Sequence, residues 1–168
     1  MVRDGGKLKP DVRHAAERKK AILDLKRVAW IELPTFSDPA RGNLTVIESK
    51  QGIPFAIARV FFIRGVPKDC ERGAHAHRRT EQLLIAIAGS FFLDLTNASQ
   101  DRTFRLREPH RAIYVPPMIW ARLRDFSTGA VCLVLASAPY DPTDYIRDWR
   151  EYVSTVANSS QRKNLAPA

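Results

Sequence analysis

The sequence predicts an all-β fold, an antiparallel sandwich or barrel of the jelly-roll kind with one C-terminal helix, and three observations carry that reading. Short apolar-rich segments recur from residue 28 to residue 136, separated by clusters of Gly, Pro, Asn and Asp. No helical period is interleaved with them, so consecutive strands are expected to pair antiparallel. The pattern then switches at Asp141-Pro142-Thr143-Asp144: Asp141 can cap, Pro142 suits a first helical position, and Tyr145, Ile146, Trp149, Tyr152 and Val153 fall on one helical face.

Taken in order, residues 1–9 combine Gly-Gly with basic side chains and almost no apolar content, the composition of a frayed end. Val12, Ala15, Ala16, Ile22 and Leu23 then allow a basic helix over residues 10–26, an N-terminal arm with a thin apolar stripe. Residues 28–33 begin the β-like sequence, 34–42 gather turn formers, and 43–48 and 55–63 read as strands, the latter closed by Gly65-Val66-Pro67. Further strands are expected through Arg72–His77 and over 83–96, 103–106, 112–115, 119–123 and 130–136, with a polar turn at 97–101. The division is a basic extension over 1–27, a β-domain with its C-terminal helix over 28–153, and a disordered tail over 154–168.

A chain of 168 residues fits one domain with a proper core. Its formal charge of +9 points towards nucleic acid only until its distribution is read. Residues 1–27 hold nine Lys and Arg against four Asp and Glu, so the excess sits on an end rather than in a recognition surface, and no basic-aromatic motif accompanies it. The longest apolar stretch is broken by Gly89, Ser90 and Asp94 and is too short to span a bilayer. No secretion leader is apparent, and Cys70 and Cys132 lack metal or redox spacing, so free thiols and a cytoplasmic address are expected.

The chemistry is concentrated in Arg72-Gly73-Ala74-His75-Ala76-His77. Side chains alternate along a strand, so His75 and His77 project from one face and can share a cavity. Many jelly rolls of the cupin type hold a metal with His-x-His, a Glu three or four residues on, a Gly six further, and a last His in Pro-x-Gly-x-x-His. Counting back from Gly89 puts Gln82 at the carboxylate position, and counting from Pro116 puts Met118 and Ala121 at the glycine and histidine. Two imidazoles alone make a poor metal shell, so no metal is expected, with Glu81 the rescue ligand in a shifted register.

The strings Leu33-Pro-Thr-Phe-Ser-Asp, Arg41-Gly-Asn-Leu-Thr-Val-Ile-Glu, Arg59-Val-Phe-Phe-Ile, Arg72-Gly-Ala-His-Ala-His, Gln82, Pro117-Met-Ile-Trp, Asp125-Phe-Ser and Tyr140-Asp-Pro-Thr-Asp-Tyr-Ile-Arg together resemble the sugar 3,4-ketoisomerases. These are metal-independent cupins acting on thymidine-diphosphate 4-keto-6-deoxyhexoses. The resemblance implies a cupin domain, isomerisation of a 4-keto sugar to its 3-keto isomer in deoxyaminosugar biosynthesis, no cofactor, and a homodimer. It implies His75 as the base, with His77 shuttling the hydroxyl proton, holding an enediolate oxygen, or only bonded in the barrel wall. Arg59 and Arg72 suit a diphosphate or enolate oxygen, although Arg72 equally suits a surface ion pair. Trp120 would stack on base or sugar, or belong to the core; Gln82 would bond substrate or a buried backbone group. The turn at Arg41 is expected near the sugar.

One departure stands out. The family commonly has a tyrosine where this chain has Phe61, so either another residue supplies the missing proton, with His77 and Tyr114 as the candidates, or the reaction has drifted. Two alternatives follow: a metal-dependent cupin oxygenase or hydrolase using His75, His77 and Glu81, and a non-catalytic nucleotide-sugar binding module.

Overall fold

The structure, a computed structural model, describes residues 25–49 and 51–164, with side chains through residue 159. The helix expected over 10–26 lies outside these residues apart from its end, where Leu25–Arg27 form a 3-10 turn. The strands are β1 (Ala29–Glu32), β2 (Thr35–Asp38), β3 (Gly42–Thr45), β4 (Arg59–Arg64), β5 (Arg72–His77), β6 (Gln82–Ala88), β7 (Phe91–Thr96), β8 (Asp101–Leu106), β9 (Arg111–Val115), β10 (Trp120–Arg124), β11 (Val131–Ala136) and β12 (Tyr145–Ile146), followed by helix α1 (Trp149–Asn164).

Every named pairing is antiparallel, in two sheets of order β1-β9-β6-β11-β4 and β12-β5-β10-β7-β8, with β2 and β3 as a separate hairpin. This is a jelly roll, as the spacing of strands and turns predicts. Its interior is filled by the inward side chains of both sheets, among them Leu84, Phe91, Leu93, Leu95, Ile113 and Val134. Strand β6 is apolar on both faces because its outer residues, Leu83 and Ile85, are covered in turn by Leu33, Ile53 and Phe55. The second sheet is covered differently: Ala76, Met118 and Ile146 pack under Tyr152 and Val156 of α1.

Five local readings change. Residues 34–42 are not all turn, since Thr35–Asp38 pairs with Gly42–Thr45 and only residues 39–41 turn; the β-forming Thr35 and Phe36 outweigh the surrounding Pro and Asp. The strand expected from residue 55 begins at Arg59. Gly89 divides the long apolar run into β6 and β7, because its φ of +62° turns the chain where a Cβ would meet Ser127 Oγ at 2.6 Å. Asp141 caps a 3-10 turn over Pro142–Asp144 rather than a long helix: Tyr145 and Ile146 pair with His77 and Ala76 as β12. The helix begins later, at Trp149, where Asp148 Oδ1 accepts the Glu151 amide at 2.8 Å, and it runs through the segment read as tail to Asn164.

Candidate active site

Strand β5 presents its two histidines to the barrel interior while Ala76, between them, lies under α1. The imidazoles meet edge to face, with centroids 5.0 Å apart. A bulge gives β5 a third inward residue. Ala121 of β10 lies opposite His75, and Leu123 lies opposite Arg72, so three residues of β5 span two of β10 and Arg72 returns to the face of His75. Gly73 makes this possible: its φ is +85°, and a Cβ there would stand 2.8 Å from the Ala121 carbonyl oxygen.

The histidines differ in what their nitrogens touch. His75 Nδ1 lies 3.0 Å from the Gly73 carbonyl oxygen, so Nδ1 carries the proton and Nε2 the lone pair. Burial lowers its pKa from the ordinary 6.5, the Gly73 bond opposes this, and Arg147 lowers it further. His77 is more confined. Its Nδ1–H donates to Asp144 Oδ2 at 3.0 Å, and its Nε2 accepts from Gln82 Nε2 at 3.2 Å. Burial pushes its pKa down to about 4, although the Asp144 hydrogen bond acts to raise it.

Asp144 is only 3% exposed. It also accepts Thr80 Oγ1 at 2.6 Å and the Arg79 amide at 2.8 Å. Burial acts to raise its pKa, but the bonds from Thr80, His77 and Arg79 outweigh that and hold the carboxyl below its usual range. The group was missed by the local reading, which placed it in a helix. The Asp141-Pro-Thr-Asp spacing, which forms a capped turn and leaves Asp144 at its end, was the available signal.

Tyr145 was also assigned to the helix, yet its ring packs 5.0 Å from His75 and 4.3 Å from His77. Arg59 Nη1 donates to its hydroxyl at 3.5 Å, and the Arg147 guanidinium lies 4.3 Å from its ring centroid. Arg59 projects inward from β4 over the ring of Phe61, and its Nε is buried with no hydrogen-bond partner among the described residues. A cavity of about 510 Å³ opens beside Gly73 and is lined by Phe61, Arg72 and Arg147 among others. The structure therefore brings together His75, His77, Gln82, Arg59, Phe61 and Arg72 from the sequence reading, and adds Asp144, Tyr145 and Arg147.

Three expected residues lie elsewhere. Trp120 faces outward, because its neighbour Ala121 faces in; it packs against Trp149 and Tyr152 of α1, at centroid distances of 5.1 and 5.2 Å. Tyr114 lies on the outer face of the first sheet and donates to Glu81 at 2.5 Å, and burial raises its phenol well above the usual range. That contact also turns Glu81 away from the histidines. Among the described residues no three His, Cys, Asp or Glu side chains are grouped to hold a metal. Arg41, at the tip of the β2–β3 hairpin, is 86% exposed along its side chain and pairs with Asp38 at 2.6 Å.

A family model described as FdtA, WxcM-like, C-terminal matches residues 26–157. The chain belongs to this family. A relative from Aneurinibacillus thermoaerophilus, a TDP-4-oxo-6-deoxy-alpha-D-glucose-3,4-oxoisomerase, is 37% identical over 124 residues, covering 74% of this chain and 89% of its own. Among solved structures, the sugar 3,4-ketoisomerase QdtA from Thermoanaerobacterium thermosaccharolyticum in complex with TDP is 39% identical, with a TM-score of 0.77 over 80% of this chain and 98% of that one. A histidine-to-asparagine mutant of QdtA in complex with TDP-4-keto-6-deoxyglucose superposes with the same TM-score at 38% identity, over 80% and 97% of the two chains. Membership in the WxcM-like family makes the jelly roll described above a cupin barrel of the ketoisomerase kind.

Proposed function

We propose that the chain converts a thymidine-diphosphate 4-keto-6-deoxyhexose to its 3-keto isomer by metal-independent proton transfer through an enediol, a step of deoxyaminosugar biosynthesis. The observation that carries this reading is the condition of His75. Its Nδ1–H is engaged by Gly73, its pKa lies below 6.5, and its Nε2 keeps a lone pair on a ring packed against His77 and Tyr145. A ketone at carbon 4 acidifies the hydrogen on carbon 3, and a neutral imidazole is a base of suitable strength to remove it.

The other residues have roles that follow from their surroundings. Arg59, Arg72 and Arg147 have no carboxylate partner among the described residues, which leaves their guanidinium groups available to a diphosphate and to an oxygen that becomes negative as the enediol forms. The unpartnered Arg59 Nε is the sharpest instance, because a buried donor without an acceptor is costly. His77, tied to Asp144 and Gln82, fixes the wall against which His75 stands. Phe61 supplies an apolar side to the cavity and no proton.

The partner is a TDP-linked keto sugar, and the active form is a homodimer. Phe36, Leu44, Val60 and Phe62 are 57–64% exposed, on the hairpin and on edge strand β4, the kind of surface a second copy covers. The hairpin carrying Arg41 would then be the segment that reaches towards the other copy. No helix among the described residues is long and apolar enough to cross a membrane, in keeping with a cytoplasmic enzyme.

The test is incubation with TDP-4-keto-6-deoxyglucose in deuterated water, following the sugar by NMR. A 3-keto product is expected, unaffected by chelator and lost in His75→Ala. A His75→Ala protein that still turns over would remove the base; turnover abolished by chelator would return a metal to the mechanism; TDP binding without hydrogen exchange would leave a binding module.

A further inference from the structure

The proposed isomerisation moves two protons, one from carbon 3 to carbon 4 and one from oxygen 3 to oxygen 4. A neutral His75 accounts for the first. The second needs a group that gives up a proton to oxygen 4 and takes one from oxygen 3, and the sequence reading left it to His77 or Tyr114. Neither is free to do so. Both ring nitrogens of His77 have protein partners, and Tyr114 bonds Glu81 on the opposite face of the first sheet.

Tyr145 occupies the position those two do not. Its backbone is fixed by pairing with His77 in β12, and its ring packs against both imidazoles, at 5.0 Å from His75. Arg59 reaches its hydroxyl at 3.5 Å, a long contact that leaves the phenol room to bond a substrate oxygen as well. The guanidinium is a donor only, so the phenol oxygen accepts from it and keeps its own proton to donate elsewhere. Two cationic side chains, Arg59 and Arg147, thus stand over or beside a phenol adjoining the base.

On the ketoisomerase reading, we infer that Tyr145 is the catalytic residue that carries the oxygen-bound proton. As His75 Nε2 takes the carbon 3 hydrogen, the pair of the C3–H bond becomes the C3=C4 bond and the carbonyl pair moves to oxygen 4, which takes the phenol proton. The Tyr145 phenolate, held by Arg59, then takes the proton of the oxygen 3 hydroxyl. The C3=O bond forms, and the enediol pair accepts at carbon 4 the proton held on His75. Both side chains end as they began, and no co-reactant is needed.

Tyr145→Phe keeps the ring against both imidazoles and removes the hydroxyl. The expected result is a kcat lower by about 10²- to 10⁴-fold, with KM and calorimetric affinity for TDP within about threefold of the unaltered protein. Loss of the carbon 3 hydrogen to deuterated solvent should also outrun product formation, because His75 still removes it while oxygen 3 keeps its proton. Should that variant fold poorly, fluorotyrosine at position 145 keeps the side chain's shape and acidifies the phenol, and the basic limb of the kcat profile should move to lower pH. A kcat within about threefold of the unaltered protein, a TDP affinity that falls in step with turnover, or an unmoved basic limb would each overturn the assignment. The unaltered protein separates the two levels. If it leaves the carbon 3 hydrogen in place, the ketoisomerase reading falls and Tyr145 with it; if it isomerises and Tyr145→Phe does so equally, only the role of Tyr145 falls.

Discussion

His77 is held neutral in a wall that leaves it little access to solvent, and this makes the fold sensitive to acid. Its pKa falls from 6.5 to about 4 on folding, so between those values the unfolded chain binds a proton that the folded one does not. Stability is therefore present above about pH 6.5 and is lost as the pH falls towards 4, by an amount on the order of 1–3 kcal/mol. Asp144 acts lower on the scale: its depressed pKa makes its own contribution disappear only below the ordinary carboxylate range. Urea unfolding at several pH values from 7 to 4.5 should show the decline, and His77→Gln should make it shallower. An unchanged slope in that variant would assign the decline to other groups. The same residue shows why paired histidines need not have paired roles. Two imidazoles from one strand face one interior, yet a carboxylate engages one ring and a carbonyl the other, and the two become a confined wall group and an open base.

At the scale of elements, α1 determines whether the second sheet has one solvent face or none. Tyr152, fully buried, anchors it by donating its hydroxyl to the Thr96 carbonyl at 2.8 Å and the Met118 carbonyl at 3.1 Å. Tyr152→Phe keeps the ring and leaves those oxygens without that donor, which should cost about 1–3 kcal/mol. Thermal unfolding would register this as a lower midpoint, and an unchanged midpoint would mean that water replaces the hydroxyl. The element also bears on the site. Ala76 and Ile146 both pack beneath α1, so the helix presses β5 and β12 together from outside while His75, His77 and Tyr145 meet on the inside. Helix and site thus share two short strands, and the reading that merged β12 into the helix lost Tyr145 for that reason.

For the whole molecule, two exposed apolar surfaces remain when the core is complete. Val60 and Phe62 project outward from β4, which has no outer neighbour among the described residues, and Phe36 and Leu44 project from the hairpin. Together they predict a dimer in solution by sedimentation velocity, and Val60→Lys with Phe62→Glu should shift it to monomer. A monomeric unaltered protein at micromolar concentration would show that this apolar surface has another use. The outer face of the first sheet needs no such cover, because Leu33, Ile53 and Phe55 already lie over Leu83 and Ile85.

Much of this molecule was legible in the order of its residues. Alternation along β4 and β5 sufficed to place Arg59 beside Phe61 and His75 beside His77, because a side chain's face follows from parity within one strand. Spacing to Gly89 sufficed to place Gln82, not Glu81, beside a histidine. What parity cannot supply is contact between strands distant in the chain, or a change of parity caused by a bulge. Arg72 reaches the histidine face only because Gly73 and Ala74 add a residue to β5, and Trp120 leaves it because Ala121 takes the inward place. Asp144 meets His77 across 67 residues, through a two-residue strand too short to carry any pattern of its own. The sequence determined the barrel, its paired histidines and the inward place of Arg59. Only tertiary structure decided which imidazole stays open and which hydroxyl stands beside it, because those depend on neighbours that folding alone brings together.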